Sequence, residues 1–425
     1  MSHLPIDAIR QPLPVTASDV DAAATRLAGV IEQTPLQYNE RLSAATGAEV
    51  WLKREDLQPV RSYKIRGAYN FIAQLTEDER AAGVIAASAG NHGQGVAMAC
   101  AELGIRGRIF VPSTTPRQKR DRMLHFGGDF IELVVVGDSY DEASAAAKQA
   151  VEESGAVMVA AFDDVRTIAG QGTVAKEVVE QLGREPDRLV VPVGGGGLLA
   201  GCLVWLNAFS PSTQVVAVEP SGAACIAAAL DAGGPTTLKH IDTFVDGAAV
   251  RRAGELTYSI AAQMAPRMVS VPEGAICSEM LALYQTEGVI AEPAGALASA
   301  SLRQAPPEPG HVVVVVVSGG NNDVSRYAEI VERSLVHEGR KHYFLVNFPQ
   351  EPGALRRFLD EVLGPDDDIT HFEYVKRSNR EMGPALVGIE LGDPGSLADL
   401  LGRLESSPIR AEAVDPDSPF YRFLI

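Results

Sequence analysis

The sequence predicts an α/β protein: an open, mostly parallel sheet, followed by a small C-terminal domain of ferredoxin-like βαββαβ order. Three observations predict it. Short Val/Ile-rich runs alternate with Ala-rich amphipathic stretches up to about Tyr327, the pattern of parallel strands joined by crossover helices. The run Val312–Val317 is six consecutive valines. It has no polar face, so it belongs to a strand buried on both sides, as central parallel strands are. Beyond residue 340 the order changes to strand, helix, strand, strand, helix, strand.

The elements follow in order. A first helix begins after Ser18, with Val20, Ala23, Ala24, Leu27, Val30 and Ile31 on one face. The apolar runs Val84–Ala87, Arg108–Val111, Ile131–Val136, Val157–Ala161, Leu189–Val193, Val215–Val218 and Val312–Val317 read as strands. Asp141–Glu153 and Ile168–Leu182 read as helices between them, and Pro306–Gly310 as a turn. The charged stretch Tyr327–Arg340 predicts a connector helix. After it come His342–Phe348 (strand), Gly353–Leu363 (helix), Ile369–Lys376 and Ala385–Leu391 (strands), Ser396–Glu405 (helix) and Ile409–Val414 (strand). The expected domains are 1–326, built of two α/β lobes, the connector 327–340, and 341–425.

Bulk properties narrow the function classes. A chain of 425 residues with 46% apolar content has room for two or three domains. Its net charge of −18, from 55 acidic and 37 basic residues, disfavours nucleic acid and anionic membranes as partners. Cys100, Cys202, Cys225 and Cys277 form no CxxC pair and no Cys/His cluster of zinc spacing, so they read as reduced thiols and no metal site is expected. Met1–Pro14 lacks the charged start and apolar run of a signal peptide, and no apolar run is long enough to span a membrane. The expected location is the cytoplasm.

Ligands of open α/β sheets bind at the carboxyl ends of strands, and four motifs deserve inspection there. Ser62-Tyr63-Lys64-Ile65-Arg66-Gly67 is cationic in an acidic chain and precedes a helix. Its lysine is either a solvated helix-start residue or, if buried, a nucleophile with a depressed pKa. Ser88-Ala89-Gly90-Asn91-His92-Gly93-Gln94-Gly95 follows Val84–Ala87. It is either a tight turn with an N-cap or a ring of N–H groups that holds a carboxylate. Gly194-Gly195-Gly196-Gly197-Leu198 joins the strand Leu189–Val193 to an apolar helix. Four glycines cost backbone entropy, which argues for close approach of a phosphate to N–H groups. Ser318-Gly319-Gly320-Asn321 follows the valine strand and is a turn or a ligand loop.

Two readings from other classes use parts of the same sequence. Gly195, Gly197 and Ala200 fit G-x-G-x-x-A, with Glu219 at the end of the next strand, the fingerprint of an NAD-dependent oxidoreductase. That reading leaves the other three motifs unexplained. A non-enzymatic amino-acid sensor built on the C-terminal domain leaves the first 330 residues unexplained.

Taken together, the four motifs resemble the fold-type II (tryptophan synthase β-like) pyridoxal-phosphate family over about residues 15–330. Within it they stand nearest the pattern of biosynthetic threonine dehydratases (threonine ammonia-lyases). The resemblance implies pyridoxal 5'-phosphate as cofactor, with a monovalent cation as a further candidate. It implies Lys64 as the Schiff-base lysine and catalytic base. Gly194, Gly195, Gly196, Gly197 and the Leu198 N–H would hold the phosphate, Asn91 the ring hydroxyl and Ser318 the pyridine nitrogen, with Tyr63 beside the ring. The N–H groups of Ser88, Ala89, Gly90, Asn91 and His92 would hold the substrate carboxylate. A neutral serine at the ring nitrogen favours β-elimination. The implied reaction turns L-threonine into 2-oxobutyrate and ammonia, the first committed step of isoleucine synthesis; L-serine dehydration and racemisation are the alternatives. Racemase-like relatives carry a serine where this chain has Ala89, and an acidic metal ligand where it has Cys225, after Glu219 and Ala223. Both departures favour dehydration without a divalent ion. The tail resembles the ACT-like regulatory domain of these enzymes through Phe348-Pro349-Gln350-Glu351-Pro352-Gly353-Ala354-Leu355. That implies isoleucine as an allosteric ligand near Glu351, Gly353, Ala354 and Leu355, and a homo-oligomer, a tetramer or dimer.

Overall fold

The computed structural model describes residues 12–374, 381–415, 418, 421 and 424. The chain divides into two units. One runs to Glu273 and takes in Leu283–Asn322; the other comprises Gly274–Ala282 and the chain from Asp323 onward.

Among the described residues the first unit holds ten strands: β1 (Leu36–Tyr38), β2 (Glu49–Arg54), β3 (Val84–Ala87), β4 (Gly107–Val111), β5 (Ile131–Val135), β6 (Val157–Met158), β7 (Arg188–Pro192), β8 (Gln214–Pro220), β9 (Arg267–Val271) and β10 (Val312–Val317). They form two sheets. The larger has the order β1-β2-β10-β7-β8-β9 and the smaller β5-β4-β3-β6. Every pairing is parallel except β1 with β2. The valine run is central: Val314 pairs with Trp51 on one side and Leu189 on the other, and all six valines are buried. β1, β2 and β9 are absent from the sequence reading. β2 hid because Glu49, Lys53 and Arg54 break its apolar pattern, although Lys53 is fully buried.

Capping chemistry fixes the helix starts. Thr16 and Asp19 form a reciprocal box at the helix Ala17–Leu27, as Ser139 and Glu142 do at Tyr140–Ser154. All four cysteines are buried thiols outside any disulfide. Burial pushes the thiols of Cys100, Cys202 and Cys225 up to about 12, which makes them unreactive. Among the described residues, no helix is long and apolar enough to cross a membrane.

In the second unit, β11 (Lys341–Pro349), β12 (Asp368–Tyr374), β13 (Met382–Glu390) and β14 (Arg410–Ala413) form an antiparallel sheet of order β12-β13-β11-β14. With the helices Ala354–Val362 and Leu397–Ser406 this is the ferredoxin-like arrangement. Phe344, Val346, Phe348, Phe358, Val387, Ile389 and Leu400 form its core. The last two residues of the expected strand Ile369–Lys376 lie outside the described residues. The expected connector forms the helix Tyr327–His337. It packs within the second unit: Ser334 bonds Ser278 at 2.9 Å, and Glu332 takes Lys341 Nζ and the Tyr343 hydroxyl.

Candidate active site

The site begins where the first and fourth motifs meet. Ser62 bridges Gly319 in antiparallel fashion, the Tyr63 N–H donates to the Ser318 carbonyl at 3.1 Å, and the Gly320 N–H donates to the Arg61 carbonyl at 2.9 Å. Arg61 takes a left-handed φ of 55°, which turns the chain sharply into the helix Lys64–Ile72. Lys64 Nζ donates to the Ala161 carbonyl at 3.3 Å, which also accepts Gln171 Nε2 at 3.1 Å. The Tyr63 ring centroid is 5.2 Å from that amine. Burial pushes the Lys64 amine down to about 8, with the Glu292 carboxyl opposing. About a tenth of the amine is then neutral at pH 7, enough for a nucleophile.

Arg66 anchors the same helix from below. Its guanidinium is fully buried, forks onto Glu55 at 2.7 and 2.8 Å and onto Glu177 at 2.6 and 2.8 Å, and reaches Thr173 at 3.1 Å. Lys53 completes the cluster through Glu177 at 2.7 Å and the Thr34 carbonyl at 2.7 Å. Two cations and two carboxylates cancel, so the buried charge is paired.

The glycine loop leads from β7 into the helix Gly197–Phe209. Gly196 has φ +92°. A Cβ at Gly195 would lie 2.4 Å from the Phe162 ring, one at Gly197 2.4 Å from Gln171 Oε1, and one at Gly194 2.9 Å from Ala248 Cα. Side chains are therefore excluded on three sides. The loop carbonyls are pinned: Thr257 Oγ1 donates to Gly195 O at 2.7 Å, and Cys225 Sγ to Gly194 O at 3.3 Å. Asp163 fixes Thr257 by capping the helix Glu255–Met264, accepting the N–H groups of Glu255, Leu256 and Thr257. First-turn amides have no acceptor within their helix, so this end suits an anion.

Asn91 opens the helix Asn91–Leu103. Its Nδ2 donates to Glu292 Oε1 at 2.6 Å, and its Oδ1 accepts Asn321 Nδ2 at 2.7 Å. The buried Ser318 donates its hydroxyl to Ala294 O at 3.1 Å; its single proton can serve that carbonyl or a ring nitrogen, not both. Around residues 88–92 one expectation needs correction. The Ser88 N–H is committed to the sheet, donating to Phe110 O at 3.1 Å, and the Gly90 N–H donates to Ser88 Oγ at 3.3 Å. Neither amide is open to a carboxylate, because β3 extends its ladder to Ser88. Ala89, Asn91 and His92 remain, at the start of the helix. His92 Nε2 bonds Val159 O at 2.9 Å, and burial, then the Lys64 charge, pushes its pKa down to about 4. It is neutral at physiological pH.

The structure thus brings Lys64, Tyr63, Asn91, Gly194–Leu198 and Ser318 together through shared neighbours. It leaves Glu219 out. That carboxyl is buried and accepts the N–H groups of Ile226 and Ala227 at 2.7 and 2.9 Å, so it is no ribose ligand. Burial holds it up at about 7. Cys225, which stands where racemase-like relatives carry an acidic metal ligand, ties its helix to the glycine loop. Sequence reasoning missed Gln171, Asp163, Thr257 and Glu292, whose partners are remote along the chain. The residues present fit a phosphorylated ring cofactor. The glycines form a cradle that any Cβ would fill, and Ser62 Oγ, Gln171 Oε1, His92 Nδ1 and Asn321 Oδ1 are buried without a partner among the described residues.

In the second unit, Glu351, Gly353, Ala354 and Leu355 line a cavity of about 200 Å³ with Phe348, Arg356, Phe372 and Tyr374. Gly353 takes φ +90° at the start of the helix Ala354–Val362, and Phe348 contacts Phe358, Phe372 and Tyr374 edge-on.

The chain belongs to the pyridoxal-phosphate-dependent enzymes: the family model of that description matches residues 27–319. A second model, described as the C-terminal regulatory domain of threonine dehydratase, matches residues 332–424. The chain is 61% identical over 414 residues to the biosynthetic L-threonine dehydratase of Mycobacterium tuberculosis, covering 97% of this chain and 96% of that one. It is 49% identical to the Bacillus subtilis enzyme of the same name, over 93% and 94% of the two chains. Among solved structures, the processed threonine deaminase isoform 2 of Solanum lycopersicum is similar with TM-score 0.70 and 34% identity, over 79% of this chain and 99% of that one. Maize serine racemase is similar with TM-score 0.69 and 31% identity, over 76% and 98%.

Proposed function

We propose that this chain dehydrates and deaminates L-threonine to 2-oxobutyrate and ammonia, with L-serine dehydration as the alternative. The observation that carries the reading is the half-buried Lys64 amine, its pKa lowered to about 8, which donates to the Ala161 carbonyl that Gln171 also reaches, the same glutamine that closes on the glycine cradle at Gly197. Bound pyridoxal phosphate supplies an electron sink for the bond broken at the substrate's α-carbon. The protein supplies the rest. Lys64 anchors the cofactor and carries the α-proton. Gly194, Gly195, Gly196, Gly197 and the Leu198 N–H hold the phosphate. Ser318 turns its hydroxyl to the ring nitrogen, Asn91 donates to the ring oxygen, and Tyr63 flanks the ring. The start of the helix Asn91–Leu103, with the Ser88 hydroxyl, holds the substrate carboxylate. Ala89 offers no proton donor, which supports elimination over racemisation.

Residues 1–326 are taken as the catalytic domain, 327–340 as connector and 341–425 as regulatory domain. The aromatic-walled cavity at Glu351 and Gly353–Leu355 suits a branched aliphatic amino acid, with the helix start facing its carboxylate. The reading is therefore feedback inhibition by isoleucine in a homo-oligomer. The test is an assay with L-threonine, L-serine and added isoleucine. Release of 2-oxobutyrate, lost in Lys64→Ala, supports the reaction; no oxo acid from either substrate rejects it. A threonine saturation curve unmoved by isoleucine rejects the regulation, and a monomer by light scattering rejects the assembly.

A further inference from the structure

Glu292 has no part in the roles above, yet its carboxyl is buried among them. Glu292 stands at the N-cap position of the helix Pro293–Gln304 without a side-chain capping bond, its N–H donates to Gly319 O at 3.1 Å, and Asn91 Nδ2 donates to its Oε1 at 2.6 Å. It crowds the fourth motif so closely that a Cβ at Gly319 would lie 2.2 Å from Oε1. It also ends a hydrogen-bond chain of fixed polarity. The chain starts at the Val60 carbonyl, which can only accept. That orients Asn321, whose Nδ2 serves both Val60 O at 2.8 Å and Asn91 Oδ1 at 2.7 Å. Asn91 Oδ1 is thereby an occupied acceptor, and its NH2 group is turned to Glu292. A flipped Asn91 amide would set donor against donor at Asn321. One Asn91 N–H remains, and it can only donate.

We propose that Glu292 is a positioning residue that locks the Asn91 amide with its N–H toward the cofactor, so that the site selects a ring oxygen acting as acceptor. The inference rests on the reading that Asn91 faces the cofactor's ring oxygen. Four charged or titratable groups bear on Glu292 from the surrounding elements: Tyr63 and Lys64 at their helix start, Asp246 beside Gly247, and Lys119 on the helix Arg117–Gly127, paired with Asp246 at 2.6 Å. Burial, then Asp246, holds the Glu292 carboxyl up at about 7, against the Asn91 hydrogen bond and Lys119. It therefore gains charge beside the ring oxygen as pH rises through neutrality.

The test compares the natural holoenzyme with Glu292→Gln and Glu292→Leu. The readouts are the pyridoxal phosphate dissociation constant and the visible absorption band between about pH 6 and 9. Leucine leaves the part-buried Asn91 donor without its acceptor, so binding weakens roughly tenfold. The glutamine carbonyl still accepts from Asn91 and restores binding to within about threefold. The natural chain is expected to show a step in the absorption band near neutral pH, and the glutamine variant to lose it. Leucine-variant binding equal to the natural chain's overturns the inference alone. So does a step that persists in Glu292→Gln, which decides the matter even if the leucine variant fails to fold. A natural chain that takes up no pyridoxal phosphate overturns the reading of the site and this inference with it.

Discussion

Lys64 and the glycine loop show how single residues carry the account. An amine adds to an aldehyde only when neutral, and burial, opposed by Glu292, lowers the Lys64 pKa to about 8. The neutral fraction therefore rises about tenfold per pH unit below that value and levels off above it. Cofactor uptake by the cofactor-free protein, followed by absorbance, should climb with pH to about 8 and then flatten. A rate that climbs on toward pH 10 would mean an ordinary, solvated lysine. At Gly195, an added methyl group meets the Phe162 ring at 2.4 Å. Gly195→Ala should weaken pyridoxal phosphate binding by roughly tenfold or more, an overpacking cost of about 1–3 kcal/mol placed at the phosphate; unchanged binding would place the phosphate elsewhere. Lys64, Asn91, Ser318 and the glycines were legible because each stands in a local motif whose spacing carries its meaning. Glu292 was not, since its partner Asn91 is 201 residues away and no local pattern marks an isolated acid before a proline. The Ser88 amide was misread for a related reason: its acceptor, Phe110, belongs to a neighbouring strand.

Whole elements are held in place by glycine contacts and one buried ion cluster. The helices Lys64–Ile72, Val165–Leu182 and Gly197–Phe209 approach so closely that a Cβ at Gly170 would lie 2.3 Å from Arg66 O, and one at Gly201 2.4 Å from Ile168 O. The motif residue Gly67 serves the same packing against Thr167 and Gln171. Beneath them, Arg66 is the guanidinium that Glu55 and Glu177 share. Arg66→Met keeps much of the volume but takes the guanidinium from the fully buried Glu55 and leaves Lys53 alone to balance two carboxylates, so the unfolding free energy should fall by about 3–5 kcal/mol, measured by denaturant titration. A loss under about 1 kcal/mol, the scale of a surface pair, would show that the cluster is solvated in solution. At this scale the sequence exposed the valine strand, the alternation and the βαββαβ tail. It concealed β2, because a strand carrying Lys53 reads as solvent-facing until Glu177, on a helix more than a hundred residues later, neutralises it.

In the whole molecule, chemistry and its proposed control belong to different units. The division does not follow the chain: Gly274–Ala282 groups with the C-terminal unit, and Ser278 there bonds Ser334. Cutting the chain before the tail would strip that segment of its companions, so a point change in the cavity is the cleaner probe of regulation. Leu355 lines the cavity and is 44% exposed, so an arginine there can reach solvent while obstructing the cavity. Leu355→Arg should abolish the change in the threonine saturation curve that isoleucine produces; a retained response would move the effector site away from this cavity. A change of element order near residue 340 was visible in the sequence. The regrouping of Gly274–Ala282 was not, because a helix's sequence does not tell which unit buries its face.

The central claim is that Lys64 carries pyridoxal phosphate for threonine dehydration, and borohydride reduction of the yellow holoenzyme followed by peptide mapping tests it most directly. The account predicts that the label falls on Lys64 and that 2-oxobutyrate release from L-threonine stops in the reduced protein. A label on another lysine, or a reduced and labelled protein that still releases the oxo acid, would contradict it.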